Sequence, residues 1–112
     1  MYYDLTKSQK KIARRVMDKG IENHYIRGLT DTENILKKWR KSELSVTDAY
    51  MQLYKSVQHI DKHIGSVYND KGGSRWVEIM SIQLADGVIS SDDLVDFEDD
   101  VRDIIIRFSG IE

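Results

Sequence analysis

Cysteine and proline are both absent from the 112-residue chain. Without cysteine there is no disulfide, no thiolate metal site and no thiol nucleophile. That fits a reducing compartment. Without proline, helices run uninterrupted and no Pro-rich linker or ligand segment exists. Long apolar runs are missing too. The start, Met1-Tyr2-Tyr3-Asp4-Leu5-Thr6, passes directly into a charged segment, so no secretory signal is expected. No window approaches the ~18 consecutive apolar residues of a membrane span, and the expectation is a cytoplasmic protein with no membrane partner.

What is present is 40% hydrophobic and 32% charged residues, the balance of a globular chain near the commonest domain size. One helical domain over residues 1–112 is expected, with enough chain to bury one core. The charge is divided along the length. Residues 1–42 hold 11 Lys/Arg against 5 Asp/Glu, and residues 43–112 hold 6 against 14, so the net −2 hides segments of +6 and −8. Such asymmetry predicts a complementary face, within the molecule or on a partner.

The apolar spacing predicts an all-α, antiparallel helical bundle of four main helices. Thr6 and Gln9 form a capping box, and Ile12, Ala13, Val16, Met17, Ile21 and Tyr25 follow on one helical face. The same spacing continues through Gly28, Thr32, Ile35 and Trp39, which would give a rod of about 54 Å. That is long against an expected radius of gyration of about 13 to 14 Å. Gly28, with a second capping box at Thr30 and Glu33, therefore predicts a kink or break near residues 28–31.

A second long helix is predicted from a Ser45 cap, with Val46, Ala49, Tyr50, Leu53, Val57, Ile60, Ile64 and Val67 as its core stripe. It ends before the loop Asn69-Asp70-Lys71-Gly72-Gly73. Ser74 to Ala85, apolar nearly all round, predicts a short buried helix. A last helix is expected after a cap at Ser90 or Ser91, with Leu94, Phe97, Val101, Ile104, Ile105 and Phe108 on one face and Gly110 as its stop. On the same wheel Asp92, Asp96, Asp99 and Asp103 share another face. Leu44 to Asp48 and Ile89 to Asp93 share an apolar-Ser-x-x-Asp pattern, which cap chemistry explains without duplication.

His59 and His63, at i and i+4, are the nearest approach to a metal motif. Ile60 stands where the His-Glu-x-x-His hydrolases need a carboxylate, and both imidazoles fall about 120 to 160° from the core face. They are expected on the solvent side, with no metal and no cofactor. Asp86-Gly87-Val88-Ile89 resembles the middle of a calcium loop, but Ile82 and Leu84 occupy the first ligand positions, so a tight turn is expected. Gly72-Gly73-Ser74 lacks Walker spacing and its lysine, and no Gly-x-Ser-x-Gly elbow occurs. The aspartate stripe alone provides no concave catalytic site. The aromatics Trp39, Trp76, Tyr25, Tyr50, Tyr54 and Tyr68 recur at helical spacing and are expected in the core. Tyr2 and Tyr3 precede the first cap and are expected to cover an apolar seam or dock on another subunit.

Together these features predict a non-enzymatic interaction protein, a small regulatory or adaptor subunit that self-associates as a homodimer. The expected contacts, within the bundle or across the dimer, are basic Lys7, Lys10, Lys11, Arg14 and Arg15 against acidic Asp92, Asp96, Asp99 and Asp103. The alternative is a nucleic-acid-associated protein using the basic face of the first helix, reinforced by Lys37, Lys38, Arg40 and Lys41.

Overall fold

The structure, a computed structural model, describes residues 3–69 and 72–111. It is all-helical: α1 spans Lys7–Arg40, α2 Val46–Tyr68, α3 Trp76–Ala85 and α4 Asp99–Ser109. Short 3-10 turns occupy Gly73–Arg75 and Ser91–Leu94, and no strand occurs among the described residues. The chain divides into two compact units, one of residues 1–23 with 67–112, the other of residues 24–66.

In the first unit, α1 begins with the expected capping box. The Thr6 amide donates to Gln9 Oε1 at 3.1 Å, and the Gln9 amide donates to Thr6 Oγ1 at 3.3 Å. Its apolar face contributes Ala13, Val16 and Met17 to a core shared with Val77, Ile79, Met80 and Leu84 of α3 and with Val101 and Ile105 of α4. Leu94, the last residue of the second 3-10 turn, and Phe97, between that turn and α4, belong to the same core. Tyr3 packs against this core and donates its hydroxyl to Asp100 at 3.0 Å, so it covers an apolar seam of its own chain; Tyr2 lies outside the described residues.

The α3 stop explains Asp86-Gly87. The Gly87 amide bonds to the Leu84 carbonyl and the Val88 amide to that of Gln83, with Gly87 at φ 75°, which is a Schellman end. Asn23 adds a bond from Nδ2 to the Val88 carbonyl at 2.8 Å. The predicted last helix is divided. Ser90 and Asp93 form a capping box on the 3-10 turn, and α4 proper begins only at Asp99, so one wheel does not describe Asp92 through Asp103. Leu94, Phe97, Val101 and Ile105 are buried as expected, while Phe108 is exposed.

The second unit is a helical hairpin. The later part of α1 and most of α2 are joined by a turn at residues 41–45. Ser42 there takes a left-handed φ of 62°, with Ser42 and Glu43 amides bonded back to Trp39 and Lys38 carbonyls. Ser45 caps α2 through a 3.1 Å bond from the Asp48 amide. The break expected at residues 28–31 is absent, because α1 continues as helix across them. Gly28 is the point of close helix approach: a Cβ there would lie 2.9 Å from Ile60 Cγ2. Thr30 forms no second capping box, its hydroxyl bonding instead to the Ile26 carbonyl at 2.9 Å.

Candidate functional site

Of the charged groups singled out by sequence, Arg14, Arg15, Asp96 and Asp99 are engaged inside the first unit. Arg15 meets Asp96 at 2.5 Å, and Arg14 stacks 5.3 Å from the centre of the Trp76 ring. Asp99 pairs with Arg102 on its own helix, also at 2.5 Å. Lys7, Lys11, Asp92 and Asp103 are exposed and Lys10 is half-buried. Lys19 bonds to Asp93 at 2.6 Å, a contact that sequence reasoning missed because 74 residues separate the two. Burial raises the Asp93 pKa, but hydrogen bonds from Lys19 and from the Ser90 amide more than offset it, so the carboxyl stays below its ordinary 3.8. The Tyr3 hydroxyl is held above its ordinary 10.0, first by its bond to Asp100, then by burial and the neighbouring carboxylates.

His63 is met not only by residues of its own helix. Its ring stands edge-on to His24 of α1, with centres 5.5 Å apart and planes at 78°. His24 is buried and has no helical-spacing signal that links it to His63 in sequence. His59 lines a shallow surface groove with Lys55, Gln58, Asp61 and Lys62. Among the described residues no helix is long and apolar enough to cross a membrane.

The hairpin carries the largest departure from expectation. Of the stripe predicted as the α2 core, Ala49 and Val67 are buried, whereas Val46 and Tyr50 are 70% exposed and Val57 is 49% exposed. Tyr25, Tyr54 and Trp39 are also exposed rather than buried. On α1, Leu29 is 70% exposed and Leu36 is exposed as well.

These positions have a common register. Tyr25, Leu29, Thr32, Leu36 and Trp39 alternate steps of four and three, as do Val46, Tyr50, Leu53, Val57, Ile60 and Ile64. Both have the four-three spacing of the a/d positions of a heptad repeat, a period of 3.5 residues. Two apolar grooves on the hairpin are built from them. One is lined by Tyr25, Gly28, Leu29, Thr32, Val57, Ile60, Asp61 and Ile64, the other by Leu36, Trp39, Val46, Ala49, Tyr50 and Leu53. Each groove takes residues from both helices. Gly28 and Ala49, one position before Leu29 and Tyr50, are buried, and Gly28 approaches Ile60 of the α2 stripe. Sequence reasoning passed over Leu29 and Leu36, although the four-three spacing was the signal that identifies them.

No family model, no curated protein and no solved structure matches the chain.

Proposed function

We propose that this is a non-enzymatic helical interaction protein that self-associates. One observation carries the reading: the hairpin of residues 24–66 leaves an uncharged, aromatic-rich heptad stripe exposed, where the first unit closes a buried core. Scattered apolar residues on a surface are ordinary, but a contiguous set at one register marks a contact surface. A hairpin of roughly 40 residues without cysteine has few means of completing a core except association.

The driving force differs from the charge pairing expected of the two chain halves. Arg15 and Asp96 neutralise each other within one chain, as do Lys19 and Asp93. Association of apolar faces is only weakly sensitive to salt, whereas exposed ion pairs are screened within about 8 to 10 Å at moderate ionic strength. Mass measured by light scattering at about 50 mM and 500 mM salt tests the reading. A multiple of the 13.0 kDa chain mass at both concentrations is expected. A monomer under both conditions contradicts self-association, and retained nucleic acid lost steeply with salt would favour the basic face of α1 instead.

A further inference from the structure

Resting on self-association, we infer that the occupant of the hairpin face is the same face of a second copy, the two hairpins closing as a four-helix bundle about a two-fold axis. Both helices of one hairpin present a/d stripes toward the grooves they line together. A heptad seam is satisfied by helices of the same period, packed at about 20° with knobs in facing holes. A second hairpin supplies two such helices of matching length. In an isologous contact every residue meets the same surface, so the face must be complementary to itself. No a or d position in either stripe is charged, so self-apposition brings no like charges together along the seam, and Asp61, which also lines one groove, is exposed at its edge.

The rim agrees. Glu33 and Arg40 on α1, with Asp61 on α2, occupy the exposed e positions beside the seam and carry both signs, the arrangement that tolerates a copy of itself. Ile26 and Tyr54, at other e positions, extend the apolar face by about half of each residue's surface. With about 150 to 250 Å² for each aromatic and somewhat less for the aliphatic residues, the exposed fractions of the two stripes together with Ile26 and Tyr54 come to on the order of 800 Å² per copy. A standard interface buries ~800 Å² from each partner. The hairpin face is thus of the size that a stable two-fold dimer uses.

The test is the paired charge substitution Leu29→Glu with Tyr50→Glu, with Phe108→Glu as the control at an exposed apolar position of α4. Mass is read by light scattering and helicity by circular dichroism on the full chain. Both stripe residues are 70% exposed within the chain, so replacing them removes little of its own packing. The expected result is a helical monomer for the stripe variant and a dimer for the wild type and for Phe108→Glu. If the charges unfold the chain, Leu29→Ser with Tyr50→Ser gives the reading, with a dissociation constant raised at least about tenfold. An unchanged constant overturns the assignment. A wild type that is already monomeric overturns self-association itself, whereas a wild-type dimer that Phe108→Glu breaks and the stripe variants do not leaves self-association standing on another face.

Discussion

Val77, Ile79, Met80, Leu94, Val101 and Ile105 of the first unit expose 2% or less of their surface, while Leu29, Val46 and Tyr50 of the hairpin expose 70%. Both units are built from amphipathic helix. In the first, α3 is apolar on nearly every side and is covered by α1 and α4, so its core closes within the chain. In the second, two helices of one hairpin each carry a stripe, and two helices cannot cover both sides of a seam. Apolar periodicity specifies a face to be buried but not the molecule that buries it.

Deleting side-chain volume should destabilise the core of the first unit far more than the stripe of the hairpin. Ile79→Ala is expected to cost about 2–5 kcal/mol, measured by urea denaturation of the full chain, because it leaves a cavity at a fully buried site. Leu29→Ala, measured at concentrations where the chain is monomeric, is expected to stay within about 0.5 kcal/mol of wild type. Equal losses would mean that the stripe is already buried in the monomer.

Next in size is a pair of glycines. Gly20 lies against the Gln83 amide, which is fully buried and donates to the Met17 carbonyl and the Tyr68 hydroxyl, each at 3.0 Å. Gln83 Oε1 has no hydrogen-bond partner among the described residues. A methyl at Gly20 displaces this amide, so Gly20→Ala should cost about 1–3 kcal/mol in the same assay. Gly28→Ala meets the half-buried Ile60 side chain, which can yield, and a smaller loss is expected. The reverse order would show that the hairpin is packed more tightly than the core.

A gain is expected at the hairpin turn. Ser42 adopts a left-handed φ of 62°, a conformation that costs a side-chain-bearing residue about 1 kcal/mol relative to glycine. Ser42→Gly should raise the melting temperature in a calorimetric scan, and a fall would show that the serine side chain holds the turn.

The smallest effect concerns Asp93. Its folded pKa is depressed below 3.8, so its contribution is present above that value and is lost as pH falls through the folded pKa. With Lys19 more than half exposed, the pair is worth under about 1 kcal/mol. Between about pH 5 and pH 2, Asp93→Asn should lose less stability than wild type does. Parallel curves would remove Asp93 from the acid response.

Much of the fold was legible because helix ends are written locally. Thr6 with Gln9, Ser45, Ser90 with Asp93, Gly87 and Gly110 all stop or start structure within four residues of themselves. Gly28 misled for a physical reason. A glycine weakens a helix interior, yet it also permits a neighbouring helix to approach, and only the position of Ile60 distinguishes the two. The pairing of Arg15 with Asp96, 81 residues away, and the meeting of His24 with His63 had no local signal at all. The stripe itself was visible as spacing; its lack of a cover was not.

Amide hydrogen exchange on the unmodified chain, followed through the dilution at which its mass halves, reads which unit the dimer contact covers. Amides of residues 24–66 should lose protection as the dimer dissociates, while those of α3 and of α4 keep theirs. Equal loss across both units, or loss confined to α3 and α4, would contradict a dimer closed by the hairpin face.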